Sequence, residues 1–166
     1  MTNKKDFNDA VKKVCLEFDL PSGIFPKLSK TVTEYSNDPK KAKKEAVQHF
    51  PFNWQHDLIR PVLIASEKED FTDNHISFVV ARIVSLAHLS RQWRNAKKVS
   101  RTHPYLQISL GPTLYRCPVH LEDEYKFFPV DSDYWEKKPL RENLMCSCSF
   151  RVMTKRETEQ ENSKQG

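Results

Sequence analysis

Hydrophobic residues recur at three- and four-residue spacing through the first hundred positions, then switch to every second position; that change of period sets the expected architecture. Phe7, Val11, Val14, Cys15 and Phe18 trace one stripe, with Lys4, Lys5, Lys12 and Lys13 elsewhere, which predicts an amphipathic helix. Leu20-Pro21-Ser22-Gly23 ends it, because proline cannot extend a helical ladder and glycine tolerates the turn. Leu28, Val32 and Tyr35 mark a weaker second helix. For a third, Asp38 offers an N-cap and Pro39 a first helical residue, and Ala42, Ala46, Val47 and Phe50 share a side. An aromatic-proline hinge, Phe50 to Trp54, leads into a short helix through Leu58, Val62 and Ala65, kinked or broken near Pro61. Polar Ser66 to Asn74 reads as a loop.

The strongest helical pattern runs from about Asn74 to Lys98, through Ile76, Val79, Val80, Ile83, Leu86, Ala87, Ser90 and Trp93. Asp73 or Asn74 is the expected cap, and Arg91, Arg94, Lys97 and Lys98 suit the C-terminal end of the dipole. Then Leu106, Ile108 and Leu110 alternate with Gln107 and Ser109, and Gly111-Pro112 closes a strand. Cys146, Cys148, Phe150 and Val152 alternate with Ser147, Ser149 and Arg151 and predict another. The residues after Met153 are polar and read as a disordered tail. The expected fold is α+β: a helical region at 1–73, a long central helix with a small antiparallel sheet and a Cys/His knuckle at 74–153, and a disordered tail at 154–166.

Composition narrows the function classes. The 166 residues suit one domain or a domain with a small appendage. No apolar run approaches the roughly 20 residues of a membrane span, and no apolar stretch follows the charged start as a secretory signal would require. Three glycines, at 23, 111 and 166, cannot form the glycine-rich loops that cradle phosphates, so familiar nucleotide chemistry is not expected. The formal charge of +5 is uneven: residues 1–110 hold 18 basic and 12 acidic side chains, residues 111–166 hold 9 and 10. Lys40, Lys41, Lys43 and Lys44 crowd the start of a helix, where its dipole disfavours cations. With Arg91, Arg94, Lys97 and Lys98 they are the candidate nucleic-acid contacts, set against the plainer reading of solvated helix faces.

The four cysteines divide unevenly. Cys15 lies in the first helical stripe and serves as a small hydrophobe. Cys117-Pro118-Val119-His120 is a Cys-x-x-His pair after a strand, and Cys146-Ser147-Cys148 a Cys-x-Cys pair whose side chains share one strand face. Together they offer three thiolates and an imidazole, a set that suits tetrahedral Zn2+, with 25 residues between the pairs. Three buried thiols beside a surface histidine, or a site that has lost its metal, would leave the same residues. Four protein ligands favour a structural over a catalytic metal.

Residues from about Phe78 to Met153 resemble the C-terminal module of phage head-morphogenesis proteins of the Mu-type minor head family. Val80-Ala81-Arg82-Ile83-Val84 and Trp93-Arg94-Asn95-Ala96 look like its helix, Tyr105 to Leu110 its strand, and Cys117-Pro118-Val119-His120 its cysteine turn. Phe127-Phe128-Pro129-Val130-Asp131-Ser132-Asp133-Tyr134-Trp135 is similar to its acidic and aromatic segment, and Cys146-Ser147-Cys148 to its closing pair. The family commonly has cysteine where this chain has His120, and arginine at Ser147. The resemblance implies a minor structural protein acting beside the portal in head assembly, in phage or prophage, in the bacterial host cytoplasm or the virion, with DNA a further partner and no membrane.

Catalytic patterns are sparse. Six histidines supply general bases, but none lies in a recognised triad or zinc-protease motif. His88, with Arg91 and Arg82 on the same helix, is the best basis for the enzymatic alternative, a metal-dependent nuclease or toxin. Asp131 and Asp133 could bind a divalent cation but more simply form a turn, and Glu122, Asp123 and Glu124 read as a solvated acidic loop. Trp93, Trp135, Tyr134, Phe127 and Phe128 suit a small core better than base stacking, with Tyr134 and Trp135 expected to pack over the metal knuckle.

Overall fold

The computed structural model describes residues 3–65, 72–111 and 117–165. The fold is α+β, with helices α1 (Lys4–Glu17), α2 (Ile24–Glu34), α3 (Pro39–Val47), α4 (Arg60–Ala65) and the long α5 (Thr72–Val99). Strands β1 (Tyr105–Ser109), β2 (Phe127–Pro129) and β3 (Ser149–Met153), with short α6 (Tyr134–Lys137) and C-terminal α7 (Lys155–Gln165), complete it. No described helix is long and apolar enough to cross a membrane.

The chain divides into two compact units, Met1–Arg91 and Gln92–Gly166. The expected division at residue 73 thus falls inside the chain's longest helix. Its first turns bury Ile76, Val79, Val80, Ile83, Leu86 and Ala87, whereas its last turns give Trp93 and Ala96 to the second unit. Since α5 already begins at Thr72, Asp73 and Asn74 lie within it, and most of the loop expected at 66–74, like Pro112, falls outside the described residues.

In the first unit, α1 opens on a capping box: the Asp6 amide donates to Asn3 Oδ1 at 2.9 Å and the Asn3 amide to Asp6 Oδ2 at 3.0 Å. Phe7, Ala10, Val11, Val14 and Phe18 are buried, while Cys15 is only half-buried at the edge of the stripe. Asp38 caps α3 as expected, accepting from the Lys41 amide at 3.0 Å, and Pro39 leads the helix. Around Pro61 the helix is not kinked but started. Proline's missing N–H costs nothing in a first turn, so α4 begins at Arg60 and residues from Trp54 remain outside it. Arg82, named with His88 and Arg91 for the nuclease alternative, is buried: it grips Glu17 with Nε on Oε2 at 3.1 Å and a terminal nitrogen on Oε1 at 2.9 Å.

The second unit is a three-stranded antiparallel sheet in the order β2-β1-β3. β1 pairs Tyr105 with Pro129 on one side, and runs from Tyr105–Met153 to Ser109–Ser149 on the other. Leu106 and Ile108 are buried as their alternation predicts; so is Gln107 between them. That amide is satisfied, donating to the Tyr125 carbonyl at 2.8 Å and accepting from Arg151 Nε at 2.6 Å. β2 carries no sequence signal, being three residues that end on proline. Of the aromatic residues of the 127–135 segment, Trp135 is buried and Phe127, Phe128 and Tyr134 are half-buried: Trp135 meets Trp93 edge-on at 5.4 Å between centroids and lies 6.1 Å from Phe150, while Tyr134 stacks on Phe128 at 3.8 Å.

The expected disordered tail is helical. Thr154 and Glu157 close a capping box ahead of α7: the Glu157 amide donates to Thr154 Oγ1 at 3.2 Å, and the Thr154 amide to Glu157 Oε2 at 2.6 Å. Arg151 of β3 reaches Glu161 at 3.8 Å, and Thr158 is buried, so this polar helix has tertiary anchors that its composition does not announce.

Candidate metal centre

Cys117 leads a turn closed by the His120 amide, which donates to the Cys117 carbonyl at 3.2 Å. A two-residue spacer in that turn brings thiol and imidazole to one point: Cys117 Sγ lies 3.3 Å from His120 Nδ1. Cys146 and Cys148 arrive from the other end of the unit. They precede β3 rather than lying in it, since the ladder begins at Ser149. Arg141 holds this approach, its amide donating to Cys146 Sγ at 3.1 Å and its Nε to the Cys148 carbonyl at 2.9 Å. It does so from a left-handed backbone, φ 57°, a conformation uncommon for a residue with a Cβ.

All four groups are buried, and one ligand atom from each lies within 4.8 Å of every other. A tetrahedral zinc with bonds near 2.3 Å spaces its sulfur ligands by about 3.8 Å, so a small contraction closes the set. His120 is oriented for the task. Its Nε2 lies 3.1 Å from the Lys138 carbonyl, which can only accept, so Nε2 carries the proton and Nδ1 keeps its lone pair facing the sulfurs. Cys146 Sγ is 3.6 Å from that same Nδ1.

The thiols differ in acidity. Cys146 is lowered: the Cys148 thiol donates to its sulfur, and with the Arg141 amide and Cys117 this outweighs the cost of burial. Cys148, holding its proton in that hydrogen bond and buried besides, is raised. Burial raises Cys117. One thiolate is therefore already favoured; a cation at the centre would draw off the other two protons.

Three residues beyond His120 lies a feature that sequence reading misassigned. Asp123 is not part of a solvated acidic loop; it is buried and accepts from three donors. Tyr134 Oη donates to Oδ2 at 2.8 Å, Lys138 Nζ to Oδ2 at 2.6 Å and Lys126 Nζ to Oδ1 at 3.2 Å. Burial alone would raise this carboxyl, but the hydrogen bonds from Lys138, Tyr134 and Lys126 override it and hold the group at about 2. The Tyr134 hydroxyl is pushed up by burial and by donating to Asp123. Tyr134 thus meets the knuckle through Asp123, while Trp135 packs into the aromatic core. No residue spacing marks these contacts, nor that of Arg141.

The other candidate residues are not drawn into one site. Lys40, Lys41 and Lys44 are exposed and Lys43 half-buried on α3 in the first unit, with Lys41 Nζ over the Tyr35 ring at 4.7 Å. Arg91 is exposed at the end of that unit; in the second, Lys97 and Lys98 are exposed and Arg94 half-buried. His88 is exposed. Asp131 and Asp133 flank a turn whose Ser132 Oγ accepts from the Tyr134 amide at 3.2 Å, and Asp133 pairs with Lys137 at 2.6 Å. Comparisons with protein-family models, curated proteins and solved structures return no match.

Proposed function

We propose that Cys117, His120, Cys146 and Cys148 hold one Zn2+ as a structural centre, and that the chain is a zinc-stabilised assembly protein rather than an enzyme. The observation that carries the metal reading is the buried convergence of three sulfurs and an Nδ1 whose tautomer is already set for coordination. Three soft sulfur donors and an imidazole favour zinc over magnesium or calcium, which take oxygen ligands. Four protein ligands fill a tetrahedral shell and leave no position for substrate or water. Metal analysis of protein purified without added zinc tests this. One zinc per chain is expected; folded protein that neither carries nor takes up zinc would overturn it.

The assembly role rests on the resemblance to head-morphogenesis proteins. The order of elements in the second unit supports it: helix, strand, cysteine turn, acidic-aromatic segment, cysteine pair and closing strand. Portal and terminase genes beside this reading frame are the expected finding. Neighbours of unrelated metabolism, with no copy of the protein in purified particles, would count against it.

The exposed lysines of α3 and of the α5 C-terminus favour a second reading, nucleic-acid binding. Labelled DNA and RNA, titrated over a range of salt, distinguish the two. Affinity that falls steeply with salt and with charge reversal at Lys40, Lys41, Lys43 and Lys44 supports contact with phosphates. A chelator arm separates binding from metal-dependent cleavage.

A further inference from the structure

We infer that Asp123 is a positioning residue for the metal centre, acting through Lys138 to set the tautomer and orientation of His120. The inference rests on the metal reading above and goes beyond it by assigning a role to a carboxylate that is not a ligand.

Three hydrogen bonds close a ring around the imidazole. His120 Nε2–H donates to the Lys138 carbonyl at 3.1 Å. The ammonium of the same lysine donates to Asp123 Oδ2 at 2.6 Å. The Asp123 amide then donates back to the His120 carbonyl at 3.0 Å. Lys138 therefore touches the knuckle twice, by main chain at the ring and by side chain three residues later. Its position is fixed from behind as well, because its amide donates to the Tyr134 carbonyl at 2.8 Å and the Tyr134 hydroxyl shares Asp123 Oδ2. Tyr134 is in turn clamped on the Phe128 ring of β2.

The chemistry explains why an acid is needed there. A ligating histidine must present a lone pair at one nitrogen, and it does so reliably when the other nitrogen's proton has a fixed acceptor. Here that acceptor is a backbone carbonyl just beyond α6, a four-residue helix too short to hold itself in place. Asp123 ties the carbonyl's own residue to the turn that carries the histidine. Without the carboxylate, the Lys138 ammonium and Tyr134 hydroxyl lose their shared acceptor, and the carbonyl is free to swing from the ring. Carboxylate and amide are nearly isosteric, so Asp123→Asn keeps the volume while removing the charge.

The test measures zinc affinity by competition with a chromophoric chelator, together with exchange of the His120 Nε2 proton by NMR in the zinc-loaded protein. Asp123→Asn is expected to weaken zinc binding by about 10–100-fold, the range for loss of a group that orients a ligand, and to speed that proton's exchange. Tyr134→Phe and Lys138→Met each remove one leg and are expected to give smaller losses with the same exchange signature; they also serve if Asp123→Asn does not fold. Exchange at the ring is the discriminating readout, since a general loss of stability would raise amide exchange throughout the unit instead. Wild-type affinity and wild-type exchange in the variants, with zinc bound by the parent, would overturn the positioning role and leave the metal reading intact. No zinc binding by the parent would overturn both.

Discussion

Gly111 sits directly against Ser147. A Cβ built on the glycine would lie 2.7 Å from both Ser147 Cβ and the Ser147 carbonyl oxygen, and closer still to Oγ. The β1–β3 register, carried two residues past Ser109–Ser149, sets these positions opposite each other. Ser147 separates the two cysteines of the closing pair, so an absent side chain on one segment leaves room for the candidate ligands on another.

Gly111→Ala is therefore expected to displace the 146–148 segment. The overpacking should cost about 1–3 kcal/mol and weaken zinc binding, because backbone cannot yield as a flexible side chain does. Denaturant unfolding and chelator competition check both effects; Gly23→Ala, with nothing within 4 Å, serves as the control.

Cysteine substitutions should separate cleanly. Cys148→Ser is expected to abolish stoichiometric zinc and lower the unfolding temperature of the second unit, whereas half-buried Cys15→Ser keeps one zinc per chain. Metal analysis and thermal melts on the same preparations read both.

Removing one partner of the Glu17–Arg82 pair should be costly. Arg82 is 5% and Glu17 18% exposed, so truncation leaves a poorly solvated charge. Arg82→Ala is expected to destabilise the first unit by about 2–3 kcal/mol, toward the low end for buried pairs because Glu17 keeps some solvent. Urea titration gives the value, and the double variant with Glu17→Gln should recover part of it.

Acid should weaken the knuckle through Asp123. Its carboxyl titrates near 3.8 when unperturbed and at about 2 in the fold, so the fold favours the ionised form. That contribution, about 2 kcal/mol, is present in full above the unperturbed value and fades as pH falls from about 4 through about 2. The stability difference between wild type and Asp123→Asn, measured across that window, should shrink toward the acid end. A constant difference would contradict it.

The C-terminal helix depends on its cap. Thr154→Ala removes the hydroxyl that receives the Glu157 amide and is expected to cost about 1 kcal/mol, read as faster amide exchange in α7.

Much of this architecture is legible in the sequence because periodicity and short spacing are local. The α1 stripe, the Asp38-Pro39 start of α3 and the Cys117-x-x-His120 turn each span a few residues and form as that span predicts, and Cys146 and Cys148 converge with that turn as expected. What escaped is held by distant contact or by a cap within a polar run. Asp123 reads as solvated among Glu122 and Glu124 until Tyr134 and Lys138 fold onto it. Thr154-Lys155-Arg156-Glu157 is a legible capping box, yet its polar surroundings masked it. The Cys146-x-Cys148 alternation continues the strand period, but hydrogen bonds from Arg141 hold the pair outside the ladder.

The sheet order β2-β1-β3 also has a consequence in time. The central strand is synthesised first, and its second neighbour is complete only at Met153, 44 residues after β1 ends at Ser109. At translation rates of about 5–20 residues per second, Leu106 and Ile108 wait some seconds beside an unoccupied strand edge. The nascent chain thus keeps one edge of β1 unpaired until after its last cysteines emerge, and slowing translation downstream of β1 should raise the insoluble fraction.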